Sequence, residues 1–401
     1  MIRTRKTSLE KFIHHESSAG ILLFFFTLLA ILLANSPAKG FYELLIDTPM
    51  AIQIGTFILA KPLLLWVNNG LMAIFFMLIG LELKREFLEG ELSNIKKVLL
   101  PAFGAFGGLI FSVMIYTFFN FNDPVAIKGW GIPAATDIAS VLAVLSLLGS
   151  RVPSNLKEFL TSLAIFDDIA LIIIIAFFYT TKISLFALLI ALFCLVVLFF
   201  LNWSGVSETS FYVLVGVIMW VAVLKSGVHA TLAGFLVAMF IPMRSKKDPR
   251  ISPLKAMEHD LHAVVAFVVL PVFAFCNFGI NVHGLTMEHF LHNIPLGISL
   301  GLFIGKPVGV FVFCWLGIKL KLADLPKGLT WPVLYGAAVL TGIGLTISLF
   351  KGSLAFEETG VNLMYDERLG ILLGSIASGL LGFCILYKVL GVRIGDTHKE
   401  Q

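Results

Sequence analysis

The sequence has 401 residues, of which 58% are hydrophobic and only 13% charged, with 37 Phe and a formal net charge of +4. A soluble domain carries about 25% charge, so a chain this apolar needs lipid over most of its surface, and a soluble globular fold is excluded. The basic residues are dispersed over short loops and leave no nucleic-acid footprint.

Apolar runs of roughly 17–25 residues recur along the chain, the length at which a helix crosses about 30 Å of hydrocarbon at ~1.5 Å per residue. They predict an all-α polytopic membrane protein, not a β-barrel, forming one transporter domain over 1–401. About twelve transmembrane helices are expected, at 19–35, 62–83, 95–119, 125–148, 156–179, 183–201, 209–224, 227–241, 261–278, 294–318, 331–350 and 368–390. Arg3, Arg5 and Lys6 precede the first run without a cleavage pattern, so that run reads as a retained span. Segment 41–61, with Gly55-Thr56 between β-branched residues, reads as an external hairpin. An isolated hairpin is marginal, so it is expected to pack on the bundle or on a second subunit. The runs 209–224 and 227–241 are short and divided only by Lys225-Ser226; 242–258 reads as a basic cytoplasmic linker. Cys194, Cys276, Cys314 and Cys384 lie in apolar runs without metal spacing and read as small core residues. With Lys351 and Arg368 counted in the outer loop after span 11, Lys and Arg favour the side of the termini by three to one. Such an excess marks the cytoplasm, so both termini are expected there.

Asp137, Asp167, Asp168 and Lys306 fall at membrane depth. One central Asp or Lys costs about 2.5–3.5 kcal/mol on insertion scales, so four must face each other or water. A purely structural ion pair is the plainer reading, but three acids against one base leave surplus carboxylates. Asp167 and Asp168 diverge by about 100° on one helix, so one can line a cavity while the other meets Lys306. Carboxylates so placed can carry a proton or a hard monovalent cation, and competition of Na+ with H+ for one acid is the simplest exchange device.

Span 4 is broken at Gly131-Ile132-Pro133-Ala134-Ala135-Thr136-Asp137, where Pro133 lacks an amide hydrogen. Span 11 has a matching interruption, Thr341-Gly342-Ile343-Gly344-Leu345-Thr346. Paired interruptions suggest inverted repeats, spans 3–5 and 10–12, with a site where the breaks meet. Close helix packing is the alternative use of such glycines. Asp137 and Lys306 could offset the partial charges of the half-helix ends. His229 reads first as a hydrogen-bonded structural residue. Glu82, Arg85 and Glu86, with Glu258, His259 and His262, sit at the cytoplasmic ends of spans 2 and 9. They are either a solvated face or a pH-sensing mouth, since histidine titrates near neutrality.

Gly131–Ala139, Phe166-Asp167-Asp168-Ile169, Gly305-Lys306-Pro307, Gly80-Leu81-Glu82-Leu83-Lys84-Arg85-Glu86 and Lys225–Gly234 together resemble the bacterial NhaA-type sodium/proton antiporters, in the same order over nearly the whole chain. The resemblance implies crossed broken helices in spans 4 and 11, and exchange of internal Na+ or Li+ for a larger number of external protons. It also implies activation at alkaline pH, an inner-membrane location and no cofactor. It assigns Asp168 as the main cation and proton site, with Asp167 beside it paired to Lys306, and Thr136 and Asp137 next to the site. Glu82, Arg85, Glu86, Glu258 and His259 match the pH-response region, joined here by His262; His229 and Gly344 match positions that influence it, and 41–61 matches the hairpin joining a homodimer. Two departures stand out: Asn69 replaces an acid, which removes a charge from the cytoplasmic funnel, and His262-Ala263 replaces a His-Pro pair at the start of span 9. An intramembrane aspartyl protease with an Asp137–Asp168 dyad lacks its Tyr-Asp and Gly-x-Gly-Asp motifs here, and a sodium-coupled solute symporter lacks a polar pocket.

Overall fold

The computed structural model describes residues 16–55, 57–90, 92, 95–179, 183–283, 285–357 and 367–396. Arg3, Arg5 and Lys6 lie outside them. Eight helices are long and apolar enough to cross a membrane, and three bent pairs and one shorter apolar helix, Thr231–Phe240, complete the set among the described residues. The twelve expected spans each find a counterpart. The chain divides into two compact units, 1–25, 94–168 and 282–401 in the first, and 26–93 and 169–281 in the second.

The first unit holds the two repeats. One runs through α4 (Ile95–Asn120), a 3-10 segment Ala126–Ala134, α5 (Ile138–Leu147) and the start of α6 (Ser154–Phe178). The other runs through α12 (Asn293–Lys319), α13 (Trp331–Leu340), α14 (Leu345–Gly352) and α15 (Glu367–Asp396). Along α4 and α12, Phe103 meets Gly317, Gly107 meets Gly309, and Tyr116 and Asn120 meet Gly297. The numbers rise in one helix as they fall in the other, so the helices run antiparallel, as an inverted repeat requires. Gly107 and Gly309 are obligatory at this crossing, because a Cβ on either would overlap the other's carbonyl oxygen. Leu100, Leu145, Leu160, Val310, Leu334 and Leu386 pack into the core around them.

In the second unit, α1 (Glu16–Ala34) continues from the first and turns by 114° into α2 (Lys39–Asp47). Strands β1 (Pro49–Ile54) and β2 (Phe57–Pro62) follow, paired antiparallel from Pro49–Pro62 to Ile54–Phe57. The hairpin is therefore shorter than the 41–61 expected, because Phe41–Asp47 has helical spacing and Tyr42 anchors it by donating to the Phe275 carbonyl at 2.7 Å. Trp66 Nε1 donates to the Met50 carbonyl and Lys225 Nζ to the Ile58 carbonyl, which ties the hairpin to the helices.

From β2 the chain enters α3 (Leu63–Glu89), and α7 (Leu185–Trp203), α8 (Thr209–Ser226), α9 (Thr231–Phe240) and α10 (Pro253–Asn277) complete the unit. Gly227 at φ +85° ends α8 in a left-handed cap. The expected span 227–241 accordingly shortens to α9, ten residues or about 15 Å of helix. Lys84 Nζ secures its C-terminal end by donating to the carbonyls of Met239 and Ile241 at 2.7 and 2.6 Å. The linker 242–258 is also shorter than expected. Ser252 caps α10 by accepting from the Lys255 amide, and Pro253 opens the helix, so His262-Ala263 lies well inside it rather than at its start. Cys194, Cys276 and Cys314 are buried as expected, whereas Cys384 is exposed.

Candidate cation site

The site lies in the first unit, where the two broken pairs touch. Their halves bend by 43° and 41°, and the freed backbone of each break is satisfied by the other. The Asp137 amide donates to the Ile343 carbonyl at 2.7 Å, and Thr136 Oγ1 lies 3.0 Å from the Thr341 carbonyl, its one hydrogen going to the nearer Asp167. Gly344 donates its amide to Ser375 Oγ at 3.1 Å. Pro133 sits one residue before the end of a 3-10 segment, not in an α-helix as expected. Just before that segment lies Asp123, whose Oδ1 accepts from the Val125 and Ala126 amides. Those amides hold its carboxyl below the usual range, the Ala126 bond contributing most.

Asp137 is the N-cap of α5. Its Oδ1 accepts from the Ser140 amide at 3.2 Å, and its Oδ2 from Ser140 Oγ at 3.1 Å, Thr346 Oγ1 at 2.8 Å and the Thr346 amide at 3.2 Å. One carboxylate thus serves the N-termini of both α5 and α14, where partial positive charge collects. Lys306 does the converse. It follows a π-helical turn, Gly301–Gly305, and its ammonium donates at 2.7 Å to the Ala134 carbonyl, the C-terminal end of the 3-10 segment. At 2.7 Å it also meets Asp167 Oδ2, which accepts from Thr136 Oγ1 at the same distance.

The lysine and Asp167 side chains are 0% and 1% exposed, so this ion pair is dry. Asp167 Oδ1 has no hydrogen-bond partner among the described residues. Asp168, on the next position of α6, keeps 8% of its surface against 2% for Asp167, which makes it the more accessible of the pair. Oxygens of this kind suit a hard monovalent cation as substrate. Among the described residues no cluster of three His, Cys, Asp or Glu side chains forms a resident metal centre.

One buried charged residue escaped the sequence reading. Lys351 is not in an outer loop; it is 1% exposed on α14, in electrostatic reach of Lys306, Asp167 and Asp168. The three acids therefore face two bases, not one. The signal was available: Lys351 lies three residues after Ser348, whose Oγ donates to the Ile132 carbonyl, so both fall on one face of α14.

The expected pH-response residues gather in the second unit. Arg85 Nε donates to both oxygens of Glu258, at 2.8 and 3.0 Å, and Arg85 Nη1 lies 2.6 Å from Glu86. His262 Nδ1 is 3.7 Å from Glu82. His259 does not join them; its side chain is 89% exposed beside Asp260. His229 is buried before α9, its Nδ1 3.4 Å from Thr231 Oγ1. Asn69 is buried in a π-helical turn near the hairpin end of α3, 13 residues before Glu82 and so about 20 Å along the helix from it. The expectation put Asn69 in the cytoplasmic funnel, whereas it lies toward the hairpin end of α3, where its Nδ2 donates to the Leu65 carbonyl at 2.9 Å.

Inverted helical repeats, two broken helices in contact and a dry carboxylate–lysine pair at the break define a multi-pass membrane transporter. The chain matches the profile of the family described as Na+/H+ antiporter 1 over residues 10–386 and belongs to that family. It is 56% identical to Na(+)/H(+) antiporter NhaA 3 of Saccharophagus degradans, covering 96% of this chain and 98% of that one. It is 54% identical to the NhaA antiporter of Desulfotalea psychrophila, covering 98% of each chain. At 47% identity, the Yersinia enterocolitica NhaA is matched over 97% of this chain and 99% of its own.

Proposed function

We propose that this protein exchanges Na+ or Li+ for protons at Asp167 and Asp168, and that the exchange is electrogenic. The observation that carries the reading is Asp167 Oδ1, a buried carboxylate oxygen without a hydrogen-bond donor among the described residues, next to the more accessible Asp168 and at the contact of two helix breaks. Such an oxygen has capacity for a cation or a proton and no other use in the fold. The relatives' names, Na(+)/H(+) antiporter, support the same pair of substrates. Asp137, by contrast, is fully engaged as a cap on two helices, which speaks against a protease dyad with Asp168.

Exchange of more than one proton per cation moves net charge, so a membrane potential drives it at about 2.3 kcal/mol per charge per 100 mV. The Arg85–Glu258–Glu86 cluster with Glu82 and His262 supports alkaline activation, as a mouth whose ion pairs reorganise with pH. The excess of Lys and Arg on the side of the termini, which grows once buried Lys351 leaves the outer count, supports cytoplasmic termini in a bacterial inner membrane. Met50, Ile52 and Ile58 on the hairpin are half-exposed, which supports a second copy of this chain pairing there.

The test is Na+ and H+ flux in proteoliposomes made with the full chain, without organic solute. Wild-type protein is expected to move protons against Na+ and to respond to an imposed potential, and Asp168→Asn to insert and fold but lose exchange. Retained exchange in Asp168→Asn overturns the site, and Na+ uptake indifferent to potential overturns the electrogenic cycle.

A further inference from the structure

Lys351 is a buried cation that neither helix caps nor ion pairs account for. Among the described residues, no hydrogen bond or ion pair engages its ammonium. Lys351 lies within electrostatic reach of Lys306 on α12 and of Asp167 and Asp168 on α6. Asp137 stands at the head of α14. At the far end Glu367 packs on Gly352, followed on α15 by Arg368. The 3-10 segment contributes only Lys128, which is exposed. Around the helix breaks, Asp137, Asp167 and Asp168 thus face Lys306 and Lys351. The set carries one surplus negative charge, which a single monovalent cation cancels.

We propose that Lys351 is a second buried amine of the cation site, whose positive charge opposes the transported cation and so sets the Na+ concentration and pH at which exchange runs. A cation entering beside Asp168 meets repulsion from Lys351 while the amine is charged and loses that repulsion once the proton leaves. Water-poor surroundings screen such a charge weakly, so it acts over several ångströms without contact. Lys351 is in this sense a positioning residue: it holds no substrate but tunes those that do. The inference rests on the reading of Asp167 and Asp168 as the cation site.

The experiment measures KM for Na+ and exchange rate across pH in proteoliposomes of the full chain, for wild type, Lys351→Met and Lys351→Arg, with unfolding midpoints in detergent. Lys351→Met removes the repulsion and is expected to lower KM about tenfold, the equivalent of ~1.4 kcal/mol, and to move the rising limb of the pH profile to lower pH. Lys351→Arg carries a charge it cannot give up, so its KM is expected to exceed the wild-type value most at alkaline pH. A folded Lys351→Met with wild-type KM and pH profile overturns the proposal. If Lys351→Met does not fold, Lys351→Arg decides, and a KM ratio to wild type that is constant with pH overturns it. Asp168→Asn in the same assay separates the two failures. Exchange that survives in Asp168→Asn removes the site itself; exchange that is lost there, with Lys351 variants like wild type, removes only the role of Lys351.

Discussion

Lys306→Gln offers the sharpest test of what the buried pair contributes, because every partner of the amine is identified. The ammonium donates to Asp167 Oδ2 and to the Ala134 carbonyl, with no exposure to water. A shorter, neutral amide forfeits the charge and cannot span both acceptors. Asp167 then keeps only Thr136 on Oδ2 and nothing on Oδ1. Breaking a buried pair by removing one partner costs about 3–5 kcal/mol, and an orphaned backbone carbonyl about 1–3 kcal/mol more. A net loss of ~3 kcal/mol is expected, more than a hundredfold in the folding equilibrium. Asp167→Asn in the same chain removes the stranded charge, and the double variant is expected to regain most of the loss. The assay is thermal unfolding of the purified protein in detergent for wild type, both single variants and the double. A Lys306→Gln midpoint equal to wild type, or a double variant that only sums the singles, refutes the reasoning.

Asp137→Ala removes four accepted hydrogen bonds and the tie between α5 and α14; a cap alone is worth ~0.5–2 kcal/mol, so a loss of at least that size is expected in the same unfolding assay, and less for Asp137→Asn. Glu258→Gln frees Arg85 from its two-oxygen partner; on a partly buried pair, with side chains 33% and 15% exposed, the stability cost is expected at about 1 kcal/mol, while the pH profile of exchange in vesicles shifts. An unchanged profile returns Glu258 to an ordinary solvated helix end. Replacing the hairpin, 49–62, with a short polar loop is expected to leave exchange in place but abolish the dimer, as read by cross-linking in membranes.

Membrane helices and both breaks were legible in the sequence because lipid imposes a length and Pro or Gly within an apolar run has few other uses. Asp167 and Lys306 were legible as partners because a charge in a span needs one. What the sequence hid depended on side-chain direction or on helix ends. Lys351 sits one residue beyond the expected end of span 11, and only its helical phase with Ser348 puts it inside. The helical start of 41–61 was obscured by Gly40 and by the β-branched run after it. Asn69 could be placed only once α3 was followed from the hairpin, since position along a helix decides which end a residue serves. His259 and His262 look equivalent in sequence, and both side chains are largely exposed, yet only His262 lies within 3.7 Å of Glu82.

The arrangement of charge explains why the site lies at broken helices and nowhere else in the unit. Each break leaves backbone amides or carbonyls without intrahelical partners, a cost that is prohibitive in hydrocarbon unless another group answers it. Backbone of the opposite break answers some of it, and buried side chains answer the rest. Asp137 takes the amide ends of α5 and α14, and Lys306 takes the carbonyl end of the 3-10 segment. These two side chains are committed to the fold, since their hydrogen bonds hold the breaks. Asp167 is half committed, with one oxygen on Lys306 and Thr136 and the other without a donor. Asp168 retains access, with 8% of its surface exposed. Exchange chemistry falls to the groups that helix capping leaves over, and that division makes a cation-for-proton swap possible without unfolding the breaks at every cycle.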